Sequence, residues 1–176
     1  LQHRVYQRLA VSFDEMTNLP VSFRKGLAQE TRLHTLAPAH EVVGCDGTVK
    51  TLFALSDGKS VEATFMPYPA ARGRARHTLC ISTQVGCPIG CPFCATGQQG
   101  FERNLTPGEI IDQMLYFGRR LQGQNGESAN VEKIKRITNI VFMGMGEPLA
   151  NYQALWQAVE MLNSPEGFGL GARNMV

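Results

Sequence analysis

Cys87, Cys91 and Cys94 fall within eight residues, in the order Cys-x-x-x-Cys-x-x-Cys. Thiolates at such spacing bind zinc or iron–sulfur clusters. A structural zinc site closes with four protein ligands. Here only Cys80 offers a fourth, and it lies in the segment preceding the loop rather than within it. A four-iron cubane held by three thiolates keeps one iron open to another ligand. The density of thiols favours ligation over three incidental core cysteines, and the missing fourth ligand favours the open cluster over zinc. Five cysteines, an odd number crowded in this way, do not make a disulfide framework. They indicate a reducing, cytoplasmic setting.

A second stretch, Gly144-Met145-Gly146-Glu147-Pro148, combines glycines that let the backbone approach a ligand with a carboxylate that accepts from an ammonium. A tight turn ahead of a helix is the plainer reading of the same residues.

These residues need a frame. Thr78 to Val85 reads as a strand, and Gly86 to Gly100 as the loop carrying the thiols. Thr106-Pro107-Gly108-Glu109 reads as a capping box opening a helix whose apolar face is Ile110, Ile111, Met114, Leu115 and Leu121. Ile137 to Met143 reads as a second strand, with Gly144–Pro148 as its exit loop. Asn151 then caps a helix with Ala154, Leu155, Ala158, Val159 and Leu162 inward, stopped at Asn163-Ser164-Pro165. Strand–loop–helix twice over is a parallel βαβα series. Ahead of it, Glu41 to Val43, Val49 to Leu55 and Ser60 to Met66 are β-favouring runs. Asp46-Gly47 and Asp57-Gly58 between them supply tight turns, so a three-stranded meander is expected. The first 36 residues carry apolar positions at helical spacing, such as Val5, Leu9 and Phe13, and a second short helix follows Pro20.

The remaining constraints are negative. No apolar run reaches the ~18 residues of a membrane span. A net charge of +2 is too mild to argue for nucleic acid. A length of 176 residues is below the ~250 of a complete eight-fold βα barrel. The chain begins without Met and ends on Arg173-Asn174-Met175-Val176, a run-up to another strand, so it reads as a piece incomplete at both ends.

Cys87-x-x-x-Cys91-x-Phe93-Cys94 at the mouth of the first strand of a βα series resembles the radical S-adenosylmethionine (SAM) superfamily. There the open iron of a 4Fe-4S cluster holds the amino and carboxylate groups of SAM, whose cleavage yields a 5′-deoxyadenosyl radical. The Gly146-Glu147 pair resembles the element that holds the SAM amino group. A narrower resemblance runs from about residue 15 to the end. Cys80-Ile-Ser-Thr-Gln-Val-Gly-Cys87, Gly100-Phe101-Glu102-Arg103-Asn104-Leu105, Ile110-Ile111-x-Gln113 and Ile137 to Leu149 resemble the RlmN-type dual-specificity rRNA/tRNA adenine-C2 methyltransferases.

The resemblance implies a division into a helical accessory segment (1–36), a β-meander (37–69) and the first part of a radical SAM barrel (70–176). It implies methylation of adenine C2 in 23S rRNA, and in tRNA next to the anticodon, through a methyl-cysteine. That cysteine, near the family's C-terminus, matches nothing here, so the chain alone is expected to be inactive. Glu62 falls where the family places its proton acceptor, and a Glu62 buried at the barrel mouth would suit that work; a solvated strand residue is the plainer reading. Cys80 matches the family's resolving cysteine, against the reading of a small core residue. Cys45 matches nothing.

RNA substrates, a flavodoxin- or ferredoxin-type electron donor and a monomer are implied in the same way. Arg72-Gly73-Arg74-Ala75-Arg76-His77 is the densest basic stretch, suited to RNA phosphates or to a solvated hairpin tip; Lys133, Lys135 and Arg136 read as surface charge. The alternatives are a C8-directed relative, a radical SAM enzyme with a substrate other than RNA, and a zinc or electron-transfer module.

Overall fold

A computed structural model describes residues 1–70, 75–123 and 136–176. The three β-favouring runs form strands β1 (Leu36–Val43), β2 (Val49–Leu55) and β3 (Ser60–Tyr68), paired antiparallel in sequence order. Gly47 and Gly58 take φ of 82° and 81° in the connecting turns, where a side chain would be strained. The Asp46 and Asp57 carboxylates accept from the N–H groups two residues on, closing both turns.

The meander does not stand apart. β3 continues into an antiparallel pairing with β4 (Arg76–Cys80), so one sheet runs through both expected units. The last strand, β7 (Asn139–Val141), lies parallel to β4, giving the order β1-β2-β3-β4-β7. Met175 bridges Ile140, and Val176 exchanges hydrogen bonds with Ile140 and Phe142, so the final residues begin to pair along β7, as their sequence leads one to expect.

The strand expected over Thr78–Val85 is two strands. After Cys80 the chain leaves the sheet, because the buried Gln113 amide takes both main-chain groups of Ser82. It resumes as β5 (Gln84–Gly86), paired with β6 (Phe101–Asn104), a hairpin that closes the base of the cysteine loop. The second expected strand is likewise shortened to Asn139–Val141.

Helix α3 (Pro107–Gly123) opens on the expected capping box: the Glu109 carboxylate accepts from Thr106 N at 2.8 Å, and Glu109 N donates to Thr106 Oγ1 at 3.2 Å. Helix α4 (Tyr152–Asn163) stops where expected. Asn151, however, makes no side-chain cap. Its amide is buried and donates instead to the carbonyls of Thr83 and Leu105, both at 2.8 Å.

One sheet face is covered. Phe53, Phe65, Leu79 and Ile140 pack with Phe117, Ile110 and Leu162 of the helices, and Phe117 stacks on Phe65 with ring centroids 6.0 Å apart. The N-terminal residues pack on the same side, but not as a continuous helix. A single π turn at His3–Gln7 and a 3-10 turn at Phe13–Glu15 flank Leu9, at φ 55°. Arg119 on α3 fixes that bend by donating to the Leu9 and Ala10 carbonyls. The short helix after Pro20, α1 (Val21–Glu30), is present.

Candidate cluster and cofactor site

The opposite face of the sheet is the open one. Strand register assigns Lys50 and Leu52 of β2, Glu62 and Thr64 of β3, Cys80 of β4 and Val141 of β7 to it. Ile140 and Phe142 are buried on the covered side, whereas Met143 is 75% exposed. Cys80 pairs directly with Thr64, two residues from Glu62. The two sequence-nominated side chains therefore share a face as diagonal neighbours, a relation that spans about 7–8 Å.

Glu62 is not buried. Its side chain is 41% exposed, and its Oε2 lies 2.6 Å from Lys50 Nζ. Its carbonyl accepts from Ser82 Oγ at 2.6 Å, tying β3 to the chain just beyond Cys80. Burial raises the Cys80 thiol above its ordinary range, an effect partly offset by a hydrogen bond from the Met143 N–H.

The three-thiol loop hangs from the β5–β6 hairpin. Gly86, at φ 73°, lies so close to Gly100 that a Cβ there would sit 1.9 Å from its carbonyl oxygen. Cys87 N donates to that same oxygen, at 3.0 Å. Cys87, Cys91 and Cys94 are all free and half-buried. Cys94 precedes the short helix α2 (Ala95–Gln98). The N–H groups of Gly97 and Thr96 hold its thiol below the usual range, an environment that favours thiolate.

Among the described residues, no three His, Cys, Asp or Glu side chains converge as ligands of one metal ion. A cubane does not ask for that, because each thiolate binds its own iron. Three free thiols on one short loop fit a three-thiolate cluster in kind and number.

Gly144-Met145-Gly146-Glu147 is bound to the segment between β4 and β5. Met145 O accepts from Thr83 N at 2.9 Å, Met145 N donates to Ser82 Oγ at 2.8 Å, and Glu147 N donates to Gln84 Oε1 at 2.7 Å. The protein itself approaches both glycines closely. A Cβ on Gly144 would meet Ile81 O at 2.7 Å, and one on Gly146, at φ 101°, would meet the Gln84 side chain at 2.5 Å. Glu147 Oε1 accepts from Leu149 N; among the described residues its Oε2 accepts nothing, and that oxygen suits an ammonium.

Ser82, Thr83 and Gln84 thus join the two motifs, with Gln113, Asn151 and Asn104 behind them. No role for these residues follows from composition or spacing. The available signal was polar residues at positions that must be buried, such as Gln113 on the apolar face of α3. The hairpin carrying the thiols is also braced from outside. Arg103 on β6 donates to both oxygens of Glu109 and to Asp57 in the β2–β3 turn, and Lys59 of that turn pairs with Glu102. Burial works to raise the buried Glu109 carboxyl, but Arg103 and Thr106 outweigh it and hold it low. Between turn and hairpin lies a cavity of ≈ 460 Å³ bordered by Gly86, Gly100 and Met145, where the bases of both candidate loops meet.

Of the basic stretch, residues 72–74 lie outside the described residues, as do Lys133 and Lys135. Arg76 stacks on Tyr68, and His77 is buried against Phe65. Cys45 is exposed. Among the described residues, no helix is long and apolar enough to cross a membrane.

No protein-family model matches the chain. It is 43% identical over 171 residues to a probable dual-specificity RNA methyltransferase RlmN of Desulfitobacterium hafniense, covering 97% of this chain and 46% of that protein. A probable protein of the same name from Chloroflexus aurantiacus is 47% identical over 178 residues, covering 99% and 44%. The crystal structure of a radical SAM methyltransferase from Sphaerobacter thermophilus superposes with a TM-score of 0.86 at 44% identity, covering 98% of this chain and 47% of that one. The chain spans about half the length of the curated relatives it matches. Over that span, in sequence and in fold, the chain is similar to proteins named RlmN and to a radical SAM methyltransferase.

Proposed function

We propose that these 176 residues form the cluster- and SAM-binding part of an enzyme that methylates adenine C2 in 23S rRNA and in tRNA next to the anticodon. The carrying observation is spatial: Ser82–Gln84 bonds the Gly146-Glu147 loop to the strand end from which the three-thiol loop departs, beside a sheet face holding both Glu62 and Cys80. The name shared by the relatives supports RNA over other substrates. Nothing in the site favours the C8-directed or zinc alternatives.

Cys87, Cys91 and Cys94 would hold a 4Fe-4S cluster, and Glu147 with the backbone at Gly146 would orient the SAM amino group. Together the cluster and SAM supply a carbon-centred radical, a reagent suited to an aromatic C–H that polar methyl transfer does not attack. Glu62 accepts the proton lost from the adenine ring. Cys80, kept as thiol by burial until needed, resolves the covalent link between RNA and the methyl-bearing cysteine. That cysteine belongs to a part of the family pattern that these residues do not match. A soluble low-potential donor such as flavodoxin or ferredoxin, a monomeric state and a cytoplasmic setting complete the proposal.

The test uses the full-length gene product. After anaerobic reconstitution, RNA incubated with SAM and a low-potential reductant is digested and examined by mass spectrometry. 2-Methyladenosine is expected; 8-methyladenosine, or no methyladenosine with intact 5′-deoxyadenosine formation, overturns the assignment.

A further inference from the structure

Glu62 does not stand alone on the open face. Register sets Leu52 opposite Glu62 and Thr64 opposite Lys50, so Lys50 reaches diagonally across β2 and β3 to Glu62 Oε2 at 2.6 Å. Around Glu62 on the three adjacent strands, the titratable groups of that face are Lys50 on β2 and Cys80 on β4. The ammonium is thus the one cation aimed at the carboxylate among the described residues, from the side away from Cys80. The Lys50 side chain is 51% exposed and supports no core packing. Its conspicuous contact is this pair, an arrangement worth little as surface stabilisation.

We propose that Lys50 is a positioning residue for the proton acceptor: its ammonium holds the Glu62 carboxylate turned along the open face while an adenine covers that face. This rests on the proposed role of Glu62. A flat base laid over the site removes the water that otherwise solvates the carboxylate, and the charge-assisted hydrogen bond from a fixed ammonium takes the place of that water. In the step itself, the ring C–H bond breaks, its electron pair stays in the ring, and the proton forms a bond to a Glu62 oxygen. Glu62 becomes neutral, and Lys50 keeps its charge and its proton throughout.

Lys50→Met, Lys50→Arg and Glu62→Gln are compared in the full-length enzyme under single turnover, following decay of the covalent RNA–protein adduct on denaturing gels. Lys50→Met is expected to leave the adduct standing roughly 2- to 5-fold longer than in wild type, the change in rate that loss of one exposed ion pair implies. Lys50→Arg keeps the charge and restores the decay. Both Lys50 variants should form 5′-deoxyadenosine at the wild-type rate. Lys50→Met that clears the adduct as fast as wild type, or Lys50→Arg as slow as Lys50→Met, overturns the proposal. If Glu62→Gln itself clears the adduct normally, the base assignment falls first, a result distinct from failure of Lys50 alone.

Discussion

Replacing Gln113 by Leu keeps the volume of the side chain and removes its hydrogen bonds. Gln113 is fully buried on α3; its Oε1 accepts from Ser82 N at 2.8 Å, and its Nε2 donates to Ser82 O at 2.9 Å. Ser82 is buried too, so Gln113→Leu leaves one N–H and one C=O without partners or water. At about 1–3 kcal/mol for each of the two orphaned groups, the substitution costs roughly 2–6 kcal/mol. That is a large share of the ~5–15 kcal/mol typical of a domain. The loss should also be local, because Ser82 Oγ and the next two residues hold the Gly144–Glu147 loop. Urea unfolding should show a lower midpoint at unchanged slope, and hydrogen exchange should quicken first at Ser82–Gln84 and Met145. A midpoint shift worth less than about 0.5 kcal/mol would refute the reasoning, since it would mean that the segment finds other partners.

Four other outcomes are expected. Gly86→Ala forces a Cβ to 1.9 Å from Gly100 O at positive φ, so the hairpin base should open at a cost of about 2–4 kcal/mol, measured by unfolding. Arg103→Leu strands the buried Glu109 carboxylate and should cost about 2–3 kcal/mol at pH 7. Because Glu109 is held low in the folded chain, the wild-type advantage is complete above the ordinary carboxylate range and fades as pH falls through the depressed folded value; unfolding curves of the two proteins should converge only once the pH lies below that value. In the metal-free chain, iodoacetamide should label Cys94 ahead of Cys80, whose thiol is raised by burial; the reverse order by peptide mass spectrometry contradicts both shifts. Alanine at Cys87, Cys91 or Cys94 should abolish cluster assembly in reconstituted protein, and full iron and sulfide content in all three variants rules out the ligand set.

What the sequence made legible follows from locality. The turns at Asp57-Gly58 and Thr106–Glu109 are written in consecutive residues, and both fold as their side chains dictate. The thiols, on one loop, were equally plain. What was not legible depends on distant partners. The strand after Thr78 is cut short by Gln113, about thirty residues on, and Asn151 serves two carbonyls of other loops instead of its own helix. The meander and the βαβα series share one sheet because β3 pairs antiparallel with β4, joining two runs that read as separate units. The Lys50–Glu62 pair needs the β2–β3 register, which alternation alone sets only to a face.

The central claim is that three thiolates of this loop hold a cluster with an open iron that meets SAM. Electron paramagnetic resonance of the anaerobically reconstituted, reduced protein, recorded with and without SAM, tests it most directly. A reduced 4Fe-4S signal that changes when SAM is added, and that is lost in the Cys91→Ala variant, is the result expected. A colourless protein carrying one zinc, or a cluster signal indifferent to SAM, would contradict it.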